Sequence, residues 1–266
     1  MTARTQVCPL RSGSSGNAVF VSGGSTRLLV DAGVCCRTLE QSLAEIGESA
    51  DCLDGIFVTH EHSDHVAGVG VMMRKHHIPL YVNQATWLAM KPIIGPIDEN
   101  DVHLVDTGRT TEIGDLSVTS FAIPHDASDP VGYRIETPRG SIVVMTDIGE
   151  MDDLLLGQAA GSRIILIEAN YDQTMLMAGS YPYILKKRIS GNHGHLSNDD
   201  CAQAVGRLMA QGTRQFILSH LSKENNFPEL ALLTVRNHLQ SLGVQMDRDL
   251  QVQVARRFAI TEPYCL

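Results

Sequence analysis

Apolar residues come in short runs separated by turn residues, and the runs change character along the chain. Ala18 to Val21 is apolar, Ser22-Gly23-Gly24-Ser25 has the composition of a hairpin turn, and Arg27 to Val30 returns as a strand. Leu39, Leu43 and Ile46 sit at helical spacing, with Gly47 as the stop. Gly55 to Thr59 reads as a short buried strand running into His60, and Val66 to His76 as a helix. Pro79 to Val82 then predicts a strand and Gln84 to Lys91 a helix. Further strands are expected over 102–105, 116–123, 132–136 and 141–146. Beyond Asp147 helices and strands alternate. Helices are expected over 152–160, from a Ser197 cap to about 211, and over 228–242, with strands over 163–168 and 214–219.

This order, strand-rich first and mixed later, suits two sheets packed face to face with helices outside. A doubly wound parallel sheet is the competing architecture; the hairpin-like start and the strand run from 102 to 146 argue against it. No repeat or Pro/Gly/Ser-rich linker divides the chain, so 1–266 is expected to be a single domain.

Composition narrows this only a little. The 266 residues are 43% hydrophobic and 19% charged, as in ordinary soluble proteins, and 5% aromatic, so the core must rest on aliphatic side chains. The net charge of −9 gives no whole-molecule attraction to nucleic acid; a nucleic-acid role then needs a local basic strip or bound cations. The six cysteines form no CxxC pair and read as buried free thiols. Met1 to Leu10 lacks a signal-peptide core, and no uncharged apolar run is long enough to span a bilayer, so a cytoplasmic protein with no membrane association is expected.

The chemistry concentrates in Thr59-His60-Glu61-His62-Ser63-Asp64-His65. His60, His62, Asp64 and His65 are four potential metal ligands at the end of an apolar strand, and imidazole with carboxylate suits Zn, Mn or Fe. The helical HExxH motif is excluded because position 64 is Asp. The spacing is too dense for one ion with an open position and fits two. His125, Asp147 and His220 each follow an apolar strand and supply the further ligands that two ions need.

In this set and order the sequence resembles the metallo-β-lactamase superfamily. The resemblance implies the four-layer αββα sandwich, an α/β fold. It implies one metal on His60, His62 and His125, a second on Asp64, His65 and His220, and Asp147 bridging both. Asp31, closing the strand Leu28-Leu29-Val30, matches the family's aspartate that orients a ligand histidine. Ser12 to Asn17, His125-Asp126-Ala127 with Pro130 to Tyr133, Glu168-Ala169-Asn170, Gly194 to Asn198 and Ser219 to Asn226 look like the WalJ/YycJ (VicX) group of bacterial metal-dependent DNA exonucleases. The implied function is phosphodiester hydrolysis, with DNA as partner, two divalent cations as cofactors and no obligatory protein partner.

Catalytic roles are assigned to Asp64, Asp147 and His195. His195, in a tight turn before a capped helix, is the candidate phosphate donor and proton source. Ser14 and Asn17 in the first loop, with Lys223 and Asn225 just past His220, are candidate substrate contacts. Lys186-Lys187-Arg188 is the densest basic run and reads either as a steering patch or as an exposed helix face. Tyr171, Tyr181 and Tyr183 nearby stack on bases or pack in the core. His76, His77, His103 and His238 read as ordinary. The alternatives are a small-phosphodiester hydrolase, a glyoxalase-II-like thioesterase or a lactonase on the same scaffold, with a non-enzymatic binding protein ranked last because all seven ligand positions are filled.

Overall fold

The computed structural model describes residues 5–266; the first four, at the head of the Met1–Leu10 segment, lie outside the described residues. The chain forms two compact units. One holds residues up to Ala122, then Ala127–Gly140 and Arg256–Leu266; the other holds Ile123–Asp126 and Ser141–Ala255.

The first unit contains β1 (Gln6–Arg11), β2 (Ala18–Gly23), β3 (Thr26–Val30), α1 (Cys36–Glu45), β4 (Gly55–Phe57), α2 (Ser63–Val66), α3 (Val69–His76), β5 (Leu80–Val82), α4 (Gln84–Met90) and β6 (Val102–Leu104). β7 (Thr110–Ile113), β8 (Leu116–Ala122) and β9 (Val131–Thr137) follow, and the returning C-terminus adds β14 (Tyr264–Cys265). A seven-stranded sheet runs in the order β14-β1-β2-β3-β4-β5-β6, antiparallel as far as β3 and parallel from there. β7, β8 and β9 pair antiparallel in sequence. The first unit's core is aliphatic, with Leu10, Leu29, Leu39, Leu43, Ile56, Met72 and Leu80 among its buried residues.

In the second unit are β10 (Gly140–Met145), α5 (Asp153–Ala159), β11 (Ile164–Glu168), α6 (Gln173–Ala178), α7 (Tyr183–Ile189), α8 (Asn198–Ala210), β12 (Gln215–Ser219), α9 (Pro228–Ser241) and β13 (Gln251–Val254). The strands β10-β11-β12-β13 are parallel neighbours. β11 is buried along its whole length, and so is most of β10 and β12, the pattern of parallel strands covered on both faces.

Several elements depart from the sequence expectation for local reasons. β1 is a buried strand despite Pro9; its register with β2 shifts between Pro9 and Arg11, the irregularity that lets a sheet hold a proline. The helix expected over 66–76 breaks into α2 and α3. At Gly68 a side chain would meet the Val34 carbonyl oxygen at 2.1 Å, and the Gly68 N–H donates to Ala32 O at 2.7 Å. β7, β13 and α6 were not expected at all, whereas α7 matches the exposed-helix-face reading of Lys186-Lys187-Arg188. The Ser197 cap is as expected: its hydroxyl accepts from Asp200 N at 3.1 Å. Cys8, Cys36 and Cys201 are buried, but Cys35, Cys52 and Cys265 are exposed, which corrects the all-buried reading. No helix among the described residues is long and apolar enough to cross a membrane.

Candidate metal centre

In the first unit the candidate ligands begin where β4 ends. The backbone there is pinned from β9 and its approach: Val131 N donates to Thr59 O at 3.0 Å, and the buried Tyr133 hydroxyl donates to Val58 O at 2.6 Å. The organising group is Asp31, buried just past β3 with φ of 62°. Left-handed backbone at a non-glycine residue costs roughly 1–2 kcal/mol and persists only where surrounding bonds impose it. Here they do. One carboxylate oxygen accepts from Thr59 N at 2.8 Å, and the other accepts from Thr59 Oγ1 at 2.9 Å and faces His65 Nδ1 at 2.8 Å.

This clamp fixes tautomers. A carboxylate only accepts, so His65 Nδ1 carries the proton and its Nε2 a lone pair. The Thr59 hydroxyl has given its proton to Asp31, so it accepts from His60 Nδ1 at 3.0 Å, and His60 Nε2 is likewise a lone pair. That nitrogen faces His62 Nδ1 at 3.1 Å, a pair of nitrogens disposed to share one proton or one cation.

The loop from Ser12 to Asn17 braces the same region. Asn17 is buried; its Oδ1 accepts from Gly13 N at 2.8 Å. Its Nδ2 lies 3.0 Å from His65 Nε2 and 3.3 Å from Asp64 Oδ2. Asn17 N donates to Asp64 O at 2.8 Å, and Gly33 N donates to Asn17 O at 2.7 Å. A side chain at Gly33 would put its Cβ 1.7 Å from Asp64 O, so only glycine allows this approach. Asn17 therefore touches two candidate ligands directly, whereas Ser14 is exposed at the loop tip.

In the second unit the organising group is Glu168, fully buried at the end of β11. One of its oxygens accepts from Ile148 N at 2.7 Å and Leu196 N at 3.1 Å. The other faces His195 Nδ1 at 2.9 Å and His220 Nδ1 at 2.8 Å. Both imidazoles thus present Nε2 away from the clamp. Asn170 Nδ2 donates to His220 O at 2.8 Å and fixes its backbone. Asp147 and His220 follow β10 and β12 with φ of 59° and 55°, the same left-handed turn seen at Asp31. Asp147 Oδ1 lies 3.3 Å from His220 Nδ1 and 3.6 Å from His195 Nδ1. His125 Nδ1 donates to Gly194 O at 3.0 Å, which fixes its tautomer too.

The electrostatics agree with this geometry. Burial pulls the His125 pKa down, more than Asp147 raises it, which favours the neutral, ligating ring. Burial also opposes charge on His195, but Glu168 and Asp147 outweigh it and raise the pKa. Glu168 shows the converse: burial raises its pKa, and His195 and His220 bring it below the ordinary carboxylate range.

Asp147, Glu168, His195 and His220 form one tight cluster, with ligand atoms all within 4.8 Å of one another. The donor set fits divalent cations: buried carboxylates beside imidazoles whose Nδ1 is already committed. Glu168 was quoted in the sequence only within a motif; its position in an apolar strand hid its role as a clamp. Of the remaining candidates, Lys223 is exposed beside Glu224, while Asn225 is buried and accepts at its carbonyl from Asp172 N at 2.9 Å. Tyr171 is buried, Tyr181 half-buried and Tyr183 exposed. His76 is more than ordinary: it lies between Glu40, 2.8 Å from Nε2, and Asp51, 2.5 Å from Nδ1, and it joins α1 to α3.

Residues 26–221 match the family described as the β-lactamase superfamily domain. The chain belongs to that superfamily. It is 43% identical over 242 residues to exodeoxyribonuclease WalJ of Streptococcus pneumoniae serotype 2 strain D39, covering 90% of each protein. It is 37% identical over 234 residues to exodeoxyribonuclease YycJ of Bacillus anthracis, covering 88% of this chain and 89% of that protein. Among solved structures, the metallo-β-lactamase fold protein YhfI of Bacillus subtilis superposes with a TM-score of 0.74 at 14% identity, over 99% of this chain and 100% of that one. The expected metallo-β-lactamase fold is therefore the fold of this superfamily member, and its histidine and carboxylate clusters mark it as metal-binding.

Proposed function

We propose that the chain is a metal-dependent exodeoxyribonuclease whose two units act as one domain. The observation that carries the reading is the 43% identity to a DNA exonuclease over 90% of both chains. The ligand assignment is His60, His62 and His125 for one divalent ion, Asp64, His65 and His220 for the other, and Asp147 between them. Zn and Mn suit this donor set, and Fe is a further candidate. When bound, such ions supply positive charge to a phosphate and acidify water near neutral pH. Cytoplasmic residence fits the buried thiols of Cys8, Cys36 and Cys201.

The protein's own groups then divide the work. Asp31 and Glu168 hold imidazole rings so that Nε2 lone pairs stay oriented while substrate enters and leaves. His195 is 23% exposed on its side chain, with Nδ1 on Glu168, so its other nitrogen is the group presented for hydrogen bonding. We assign that nitrogen to a phosphate oxygen or the departing strand's oxygen. Ser14 and Lys223, both exposed, are assigned to substrate contacts. Asn17 and Asn225 are buried and are assigned to holding the loops that carry those contacts.

The test uses metal-stripped protein given back Mn or Zn and offered end-labelled duplex and single-stranded DNA beside a thioester and a lactone. Metal-dependent release of nucleotides from DNA ends is expected; hydrolysis of the thioester or lactone alone overturns the assignment. His195→Ala is expected to keep its metal while DNA cleavage falls ~10²-fold. An unchanged rate removes His195 from the chemistry.

A further inference from the structure

The segment between β11 and the His195 turn carries an exposed surface that the metal centre does not use. Ile184, 84% exposed, is the most exposed large apolar side chain among the described residues; Tyr183 is 67% exposed and Met177 49%. Exposed apolar groups grouped on adjacent short helices call for an occupant. Beside them lies the one run of three consecutive cations in the sequence, Lys186-Lys187-Arg188.

These cations are built into the surface. Lys187 Nζ sits 5.2 Å from the Tyr183 ring centroid, one helical turn away. Lys186 Nζ donates to Met177 O at 2.7 Å and stitches α7 to α6. The Arg188 guanidinium pairs with Asp126, the residue after His125. The end of α7 is bonded to the candidate centre as well. His195 N donates to Ile189 O at 2.8 Å, Gly194 N donates to Gly191 O at 2.8 Å, and Gly194 O receives His125 Nδ1. A Cβ on Gly194 would lie 2.2 Å from both the Arg188 and Ile189 oxygens, so this turn is closed down onto α7.

We propose that α7 is the platform that grips the unpaired end of a DNA strand, with a base stacked on Tyr183 beside Ile184 and phosphates facing Lys187. This rests on the nuclease reading and specifies how its substrate is held. Charge complementarity selects the occupant: a chain of net charge −9 repels a polyanion at long range, so its grip must come from a local cation run. Cations alone would serve a duplex backbone. The exposed ring and Ile184 add what only an unstacked base can use.

The test compares wild type with Tyr183→Ala, Ile184→Ser and Lys187→Gln, all at surface positions. Steady-state constants are measured on single-stranded DNA, on blunt duplex and on bis(p-nitrophenyl) phosphate, a diester with no strand to grip. In Tyr183→Ala the ratio of kcat/KM on single-stranded DNA to that on the small diester is expected to fall about tenfold, mostly through KM. The ratio for blunt duplex should fall less. Ratios within twofold of wild type in all three variants overturn the platform while leaving the nuclease reading intact. A wild type that hydrolyses the diester but no DNA overturns the nuclease reading itself. If the variants turn a dimer into a monomer by sedimentation with the ratios unchanged, α7 is a contact between copies and the platform is overturned.

Discussion

The two units hold their candidate ligands with the same device, built on different carboxylates. Asp31 takes one backbone N–H on one oxygen and a hydroxyl with one imidazole on the other; Glu168 takes two backbone N–H groups on one oxygen and two imidazoles on the other. In both, the clamp lies at or just past a strand end and fixes Nδ1 so that Nε2 faces outward. The difference lies in reach. Asp31 serves ligands close together in sequence, whereas Glu168 ties together residues from 148 to 220. Glu168 is accordingly the more demanding position: fully buried, with two rings and two main-chain segments depending on it.

That contrast predicts a ranking. Glu168→Ala should be the most damaging change, leaving two buried N–H groups and two imidazoles without their acceptor. We expect a loss of about 3–5 kcal/mol in unfolding free energy, read by denaturant titration, together with loss of bound metal. Equal stability for Glu168→Ala and wild type would remove the clamp from the account. Asp31→Ala comes next, with metal affinity expected to fall about 10–100-fold, measured by competition with a chelating dye. If Asp31→Ala weakens metal more than Glu168→Ala does, the ranking is reversed and reach is not what matters.

The ranking also explains what could be read beforehand. Thr59 to His65 was legible because its ligand types crowd together behind an apolar strand, and Asp31 because it closes one. Asp147 and His220 were legible as polar residues after apolar strands, but not the left-handed turn that aims them. Glu168 was hidden because it ends the run Ile164-Ile165-Leu166-Ile167, where a single acid looks like a strand end; only its complete burial between two histidines reveals it. Pro9 masked β1 because proline usually argues against an interior strand. The helices α6 and α7 are six and seven residues long, too short for apolar periodicity to register.

Two smaller effects sharpen the comparison. Gly33→Ala must displace the Asp64 carbonyl, and we expect about 2 kcal/mol of destabilisation with reduced metal binding. A variant with wild-type melting and metal content would show that the first loop is not a brace. Thr59→Val removes the hydroxyl between Asp31 and His60 while keeping shape; roughly 1 kcal/mol and a few-fold loss of metal affinity are expected by the same assays. Loss of all metal would make that hydroxyl a larger part of the clamp than its single bond to Asp31 suggests.

The measurement that bears most directly on the account is the metal content of the purified, Mn- or Zn-reconstituted chain by elemental analysis, wild type beside Asp147→Ala. Two ions per chain are expected in the wild type, with Asp147→Ala losing at least one together with DNA cleavage. A wild type that holds no ion, or an Asp147→Ala variant that keeps both ions and full activity, contradicts it.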